Sequence, residues 1–200
     1  MIKQNYAVNN FNFSTLEQAE LFENIITRNK FNNKQKKIIA SGIKKRLDVS
    51  IYSFKYFKAE QMKQVQLGLE KGLNINSYLD PFLNWEQMRE IRLGLEKGLD
   101  VSIYAKSIIY EKEMKIVRNI LENKLDISWY KPNTFSLWQL DSIVIGLQKN
   151  LNPLIYANPN YSSKIINVVI KGLENKIDLT NYAKERFNEY QLEVILDLSL

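Results

Sequence analysis

Apolar residues recur along much of the chain at spacings of three and four, which is the period of one face of an α-helix. One such stripe consists of Met88, Ile91, Leu95 and Leu99. It predicts a helix of about 13 residues, about 20 Å long. Gly98 lies where this helix should end, and an apolar residue follows it, which is typical of a left-handed C-terminal cap.

A second, much shorter helix or a 3₁₀ turn is predicted directly after that cap. Asp100 is suited to cap its first turn, and the helix would cover residues 101–105. Further along the chain, Asn152 and Pro153 repeat this arrangement, because proline is favoured at the first helical position. The remaining prolines fall just past the equivalent short segments, where they would stop a helix: Pro81, Pro132 and Pro159.

This pair of elements recurs every 26 residues. One column of the repeat is tyrosine: Tyr52, Tyr78, Tyr104, Tyr130, Tyr156 and Tyr182. Four residues earlier stands an acid or its amide: Asp48, Asn74, Asp100, Asp126, Asn152 and Asp178. A third column is glycine, with Ile120 as its exception: Gly42, Gly68, Gly94, Gly146 and Gly172. A single repeat cannot bury its own apolar face, so neighbouring repeats must stack.

The columns that recur in every repeat are interpreted as structural. We expect the tyrosines to be core residues with hydroxyls bonded to neighbouring repeats, and the Asp/Asn column to cap helices. Met62, Met88 and Met114 lie on the apolar stripe and are expected to fill the core. Glycine inside a helix costs about 1 kcal/mol relative to alanine. The glycine column therefore predicts close approach of a neighbouring backbone or a tyrosine ring.

The predicted fold is all-α, without a sheet: an α-solenoid-like array forming one domain. Six repeats would cover 31–186, and a capping helix would cover 187–200. Residues 1–30 form an N-terminal capping segment, with a helix at about 15–27 that Ser14 or Thr15 caps. The last helix should expose apolar side chains that could support self-association or partner docking: Val194, Ile195, Leu196, Leu198 and Leu200.

Composition argues against catalysis. The chain has no cysteine and no histidine, so disulfides, thiolate chemistry and the commonest general base are excluded. No glycine-rich phosphate loop, metal-ligand cluster or nucleophile–base constellation is present. We therefore expect no catalytic, cofactor-binding or metal-binding residues. The apolar runs are too short for a membrane span, and no signal peptide is recognisable, so a cytoplasmic location is expected.

Charge is concentrated in the first half of the chain. The net charge is +6, but residues 28–72 hold twelve Lys and Arg against three acids, a net +9, and the rest is net −3. One column contributes a predicted basic ridge: Lys37, Lys63, Arg89 and Lys115. Its later members are Asp141, Asn167 and Glu193. Four more cations could widen the ridge: Arg92, Arg118, Lys44 and Lys45. The ridge is either a macromolecular contact surface or an ordinary solvated face.

Three tryptophans are further candidates for partner contact. Trp85, Trp129 and Trp138 occupy columns that elsewhere hold mixed residues, including polar ones. Such columns are not uniformly buried, so a tryptophan there could anchor an interface. The alternative is that these rings pack into the loops between repeats.

The segment QMREIRLGLEKGLDVSIYA (87–105) and residues 61–78 resemble a short repeat of Firmicutes proteins, often encoded on phages and other mobile elements. The resemblance covers 31–186, is strongest at 57–105 and is weakest at 107–135. It implies no activity. A mobile-element origin would imply, by analogy of context, an inhibitor of a host defence nuclease, an anti-CRISPR-like role.

The sequence thus predicts a non-enzymatic helical-repeat protein that binds another protein, such as a nucleic-acid-handling effector, and that does not bind a membrane. Two alternatives remain open. One is sequence-independent binding of RNA or DNA along the basic ridge, and the other is a homo-oligomeric structural element. Against a nucleic-acid track, acids such as Glu70, Glu96 and Glu122 recur on the same helices.

Overall fold

The computed structural model describes residues 6–185 and 187–200, which are mostly helical. A first helix, α1, covers Leu16–Arg28. The long repeat helices then begin every 26 residues: α2 (Asn33–Lys44), α3 (Ala59–Glu70), α4 (Trp85–Glu96), α5 (Glu111–Glu122), α6 (Leu137–Gln148), α8 (Ser163–Glu174) and α10 (Glu189–Ser199). Two short helices lie between the later ones: α7 (Pro153–Tyr156) and α9 (Thr180–Lys184). The predicted 26-residue spacing is confirmed.

Local polar side chains begin these helices. The Asn84 side chain accepts from the Gln87 backbone N–H, and the Gln87 side chain accepts from the backbone N–H of Asn84, which together form a capping box. Thr15 caps α1 in the predicted way. After α4, Asp100 caps a 3₁₀ turn at Val101–Ile103, which is one of the two predicted forms but shorter than the predicted segment 101–105.

A residue with positive φ stands two positions after the end of each of the first six long repeat helices. Glycine occupies two of these positions and non-glycine residues the other four: Arg46, Gly72, Gly98, Lys124, Asn150 and Lys176. The cap predicted at Gly98 is confirmed, with φ +69°. An L-residue is strained in this region, whereas glycine is not.

This strain yields a stability prediction. Replacing Lys124, with φ 55°, by glycine should raise the free energy of unfolding by up to about 1 kcal/mol. The converse change, Gly98→Ala, should lower it by about the same amount. Urea unfolding followed by circular dichroism measures both. A destabilised Lys124→Gly protein would show that its lysine makes a stabilising contact that outweighs the backbone strain.

The N-terminal segment contains a β-hairpin, so the prediction that no sheet is present is wrong. Strands β1 (Tyr6–Val8) and β2 (Phe11–Phe13) pair antiparallel. They are joined by a two-residue turn in which Asn9 and Asn10 have φ values of 48° and 67°. The ring of buried Phe13 lies 5.2 Å from that of Phe22 on α1. The hairpin is thereby fastened to the first helix.

The chain divides into two compact units, one ending at Ser107 and the other running Ile108–Leu200. In the first unit, α1 packs on α2, α2 on α3 and α3 on α4. In the second, α5 packs on α6, α6 on α8 and α8 on α10. Within each unit a long helix therefore packs on the next long helix.

Tyrosines of the column pack against the glycine column in the core. Four of the tyrosines are completely buried: Tyr52, Tyr78, Tyr104 and Tyr156. A Cβ added to Gly94 would lie 1.9 Å from the Tyr104 hydroxyl, which confirms the predicted close approach. The Tyr78 hydroxyl donates to the Gln64 carbonyl in its own repeat, so the predicted bond to a neighbouring repeat is wrong there. Tyr182 departs from the column, since it is exposed.

Buried glutamines connect successive repeats, which the sequence analysis does not anticipate. Gln61 Nε2 donates to the carbonyls of Leu83, at 2.6 Å, and Pro81, at 3.2 Å, just before the next repeat helix. Its Oε1 accepts from the Lys58 backbone N–H at 2.7 Å. Equivalent bonds 22 residues along the chain start from Gln35 and Gln139. One side chain thus caps the start of its own helix and binds the backbone just before the next repeat helix.

Glu113 occupies the repeat position that Gln35, Gln61 and Gln139 hold in other repeats. The glutamine Nε2 donates to carbonyls, whereas the Glu113 carboxylate accepts from donors. Glu113 Oε1 accepts from the Tyr130 hydroxyl at 2.7 Å and from the Asn133 backbone N–H at 3.0 Å. Burial, together with this carboxylate, raises the pKa of Tyr130. Glu113 therefore accepts from groups of its own repeat, whereas Gln61 donates to the Leu83 carbonyl of the next repeat.

Candidate partner-binding surface

Three members of the predicted ridge lie in the first compact unit. Lys37 is on α2, Lys63 on α3 and Arg89 on α4, and these helices pack in that order. Lys37 and Arg89 are exposed, and Lys63 is half-buried. We call these three residues the first-unit ridge. Lys115 is exposed on α5 in the second unit.

Two other repeat lysines are paired with acids of the following repeat, whereas the three cations of the first-unit ridge are not. Lys45 pairs with Glu70 at 2.8 Å, and Lys71 pairs with Glu96 at 2.6 Å. Within residues 6–185 and 187–200, no carboxylate lies within 4.0 Å of a side-chain nitrogen of the first-unit ridge. Lys63 Nζ donates to Gln66 Oε1 at 3.3 Å. The ridge cations therefore carry charge that the protein itself does not neutralise.

The two arginines predicted to widen the ridge are engaged inside the protein. Arg92 is only 8% exposed, donates from Nε to Gln64 Oε1 at 3.0 Å and pairs with Glu96. Burial opposes the charged form of Glu96, but Lys71 and Arg92 together hold the pKa of this carboxyl below its ordinary value. Arg118 is half-buried and pairs with Glu122.

The lysines beside α2 have partners as well. Lys44 Nζ lies 5.6 Å from the centroid of the Phe13 ring, within the range of a cation–π contact. Lys45 forms the ion pair with Glu70 described above. Both side chains are exposed, so these contacts leave them accessible to solvent.

The three tryptophans lie in different environments. Trp129 is 7% exposed, donates from Nε1 to the Asp126 carbonyl at 2.8 Å and packs its ring on Phe135. This is the loop-packing alternative of the sequence analysis. Trp138 on α6 is 75% exposed, and Trp85 at the start of α4 is 37% exposed. Trp85 and Trp138 therefore remain available to a partner.

The last helix exposes several of the apolar side chains that the sequence analysis singles out. Val194, Leu198 and Leu200 are exposed, whereas Ile195 is half-buried and Leu196 is buried against the preceding helix. The apolar positions of α10 are thus divided between core and surface.

A groove of about 390 Å³ lies next to the first-unit ridge. We call it the basic groove, and it is lined by Lys34, Lys37 and Ile38 of α2, Ala59, Glu60, Lys63 and Gln64 of α3, and Trp85 of α4. Ile38, Ala59 and Trp85 supply apolar surface. Lys34 lies 3.6 Å from Glu60, and both are well exposed, so this pair contributes little stability. The groove thus combines an apolar surface with an excess of positive charge.

The second unit has a groove of about 330 Å³ at the equivalent place in its repeats. We call it the counterpart groove, and it is lined by Lys164, Asn167, Val168 and Lys171 of α8 and by Glu189, Tyr190 and Glu193 of α10. Asn167 and Glu193 stand where the basic groove has Lys37 and Lys63, 130 residues earlier. Lys164 pairs with Glu189 at 3.1 Å. The same helix geometry therefore occurs without the positive charge.

No protein-family model, curated protein or solved structure matches this chain. Among the described residues, no helix has the length and apolar character needed to cross a membrane. The described residues also contain no group of three or more metal-ligating acids.

Proposed function

We propose that this chain is a helical-repeat binding protein that uses the first-unit ridge to engage another protein. The observation that carries the proposal is the grouping of three cations without a carboxylate partner on successive packed helices, beside a groove that is partly apolar. Lys45 and Lys71 are neutralised by the next repeat, whereas Lys37 and Arg89 are exposed without a carboxylate partner. Unpaired charges beside an apolar groove are suited to a partner of opposite charge. Within each unit the long helices pack in chain order, as in α-solenoids.

The resemblance of the repeats to those of mobile-element proteins extends this proposal to a partner class. A host defence nuclease would be an appropriate target for a small binding protein of such an origin. The partner surface that contacts the ridge would then be acidic. It would differ from the positively charged site with which a nuclease holds its nucleic-acid substrate.

A second candidate is sequence-independent binding of nucleic acid, which the same cations favour. Each neutralised phosphate contributes about −0.9 to the slope of log affinity against log salt concentration for a duplex, and about −0.7 for a single strand. Three or four contacts would give a slope of about −3. The apolar side of the groove and the acids engaged with Arg92 and Arg118 favour a protein partner instead.

Charge reversal of the first-unit ridge separates these functions. The variant Lys37→Glu, Lys63→Glu, Arg89→Glu should lose partner proteins that the wild-type chain retains from a native-host lysate after nuclease treatment. Charge complementarity steers the encounter of two proteins, so reversing charges at the rim of the interface should mainly lower the association rate. Direct titration of a 25-base-pair duplex and of a single strand measures the salt slope for the alternative.

The matched control reverses three lysines outside the ridge: Lys55, Lys97 and Lys106. All three are exposed, and none forms an ion pair in the described part of the chain. The control has the same net charge as the ridge variant and should retain partner binding. An equal loss of partner binding in both variants would show that binding depends on net charge and not on the ridge. Equal retention in both would leave the ridge as a solvated face and contradict the proposal.

A further inference from the structure

The basic groove has the shape and chemistry of a site for a short helix. Its sides are the parallel rows of side chains on α2 and α3, two helices of 12 residues that are each about 18 Å long. Grooves of this kind accept the apolar face of an amphipathic helix. Trp85 closes the groove from the start of α4 and remains 37% exposed. A partly exposed tryptophan beside a groove is a common anchor at protein interfaces.

The charges of the groove select the occupant. Lys34, Lys37 and Lys63 outnumber the single acid, Glu60, that lines it. An occupant that covers this surface must supply carboxylates, since burying an unpaired lysine is costly. The counterpart groove has equivalent helices but carries Glu189 and Glu193 against its lysines. It therefore offers the same space to a helix without the preference for an acidic one.

We infer that the basic groove is a docking site for an acidic amphipathic helix of the partner protein. Its apolar side chains pack against Ile38 and Trp85, and its carboxylates face Lys37 and Lys63. This inference rests on the proposed function and assigns the partner's chemistry to one place on the protein.

Selection of peptides from a random 16-residue library, displayed on phage, tests the assignment. The target is the immobilised full chain, and counter-selection uses the variant Lys37→Asn, Lys63→Glu. These two changes copy the residues of the counterpart groove into the basic groove. Enriched peptides should carry apolar residues spaced by three and four, with acids between them. Synthesised with a fluorescent label, they should bind the variant at least 10-fold more weakly than wild type, as measured by anisotropy.

Two further variants test the apolar part of the site. Ala59→Phe fills the groove without changing its charge, and Ile38→Asp places a like charge against the incoming acids. Each should weaken the selected peptides at least 10-fold, with circular dichroism confirming that the helices persist. Because Ala59 is almost completely buried, Ile38→Asp remains the decisive variant if Ala59→Phe unfolds the protein.

Four outcomes would overturn the inference. These are no enrichment over the starting library, enrichment of basic or uncharged peptides, undiminished binding to the Lys37→Asn, Lys63→Glu variant, and displacement of the peptides by duplex DNA at lower concentration than by unlabelled peptide. The last would indicate that nucleic acid is the preferred ligand. A partner protein that is retained by the ridge while the peptide selection fails would preserve the proposed function and remove the groove from it.

Discussion

Replacing Gly94 by alanine should lower the free energy of unfolding by about 1–3 kcal/mol. The sign is informative because alanine is the better helix former by about 1 kcal/mol. An added Cβ would lie 1.9 Å from the Tyr104 hydroxyl and 2.9 Å from Val101 Cγ1. Tyr104 is completely buried, so its ring cannot swing into solvent without leaving the core. The steric cost should therefore exceed the gain in helix propensity.

A double-mutant cycle isolates the hydroxyl. In Tyr104→Phe, the closest ring atom to the added Cβ becomes the one at 3.3 Å, so Gly94→Ala should be much less costly there. Gly94→Leu should be the most destabilising change, because leucine adds further atoms where even a Cβ lies too close to the tyrosine hydroxyl. Urea unfolding gives the free energies, and hydrogen exchange over residues 85–104 shows whether the loss is local. A Gly94→Ala protein as stable as wild type would remove the steric explanation of the glycine column.

The glycine column shows which features a repeated sequence makes predictable. A residue that is unfavourable in its local context, and recurs at the same position, requires a tertiary cause. Gly94, inside the last turn of α4, indicates a close neighbour from the sequence alone. The left-handed caps at Gly98 and Asn150 follow from local conformational preference in the same way.

The hairpin was not predictable by this reasoning, because it lies outside the repeat. Asn9 and Asn10 form a recognisable turn only when the short flanking strands are considered together. Phe11 and Phe13 are residues that favour a strand, but each strand has only three residues, which is too short to show a clear alternating pattern. The rings of Phe11 and Phe13 pack on Phe22 of α1, and this tertiary contact cannot be read from the sequence of the hairpin itself.

The candidate site was predictable in its charges but not in its contacts. The column that holds Lys37, Lys63 and Arg89 identifies an outward-facing row because its later members include acids and an amide. Arg92 lies only three residues after Arg89 in the sequence, yet its guanidinium is held by Gln64 of α3 and by Glu96 of its own helix. Which arginine is held depends on side-chain packing between helices, and helical periodicity alone does not determine that. The basic groove likewise depends on which side chains of α2 and α3 line it, among them Ile38 and the small Ala59.

The buried glutamine column leads to the second large effect. Replacing Gln61 by leucine should lower the free energy of unfolding by about 3 kcal/mol. The change removes the hydrogen-bond partner of the Lys58 backbone N–H and of the Pro81 and Leu83 carbonyls. A buried backbone group left without a partner costs about 1–3 kcal/mol. Gln61 is 4% exposed, so water cannot readily replace the lost bonds.

Gln61→Glu makes the same test dependent on pH. The carboxylate can still accept from the Lys58 N–H, but it cannot donate to Leu83 and instead faces its carbonyl oxygen. Burial and this carbonyl favour the protonated form, so the pKa in the folded protein should exceed the unfolded value of about 4.3. Protonation restores one donor, so the stability contribution is present below that unfolded pKa. It is lost as the pH rises through the folded pKa.

The free energies of unfolding of Gln61→Glu and wild type should therefore differ least near pH 4 and most at pH 7. Gln191→Glu on α10 is the matched control, because that glutamine is exposed and bonds to Asn188 in its own capping box. It should show a small difference with little pH dependence. A pH-independent loss in Gln61→Glu would mean that the Leu83 carbonyl finds another donor, and the glutamine would then be a helix cap rather than a link between repeats.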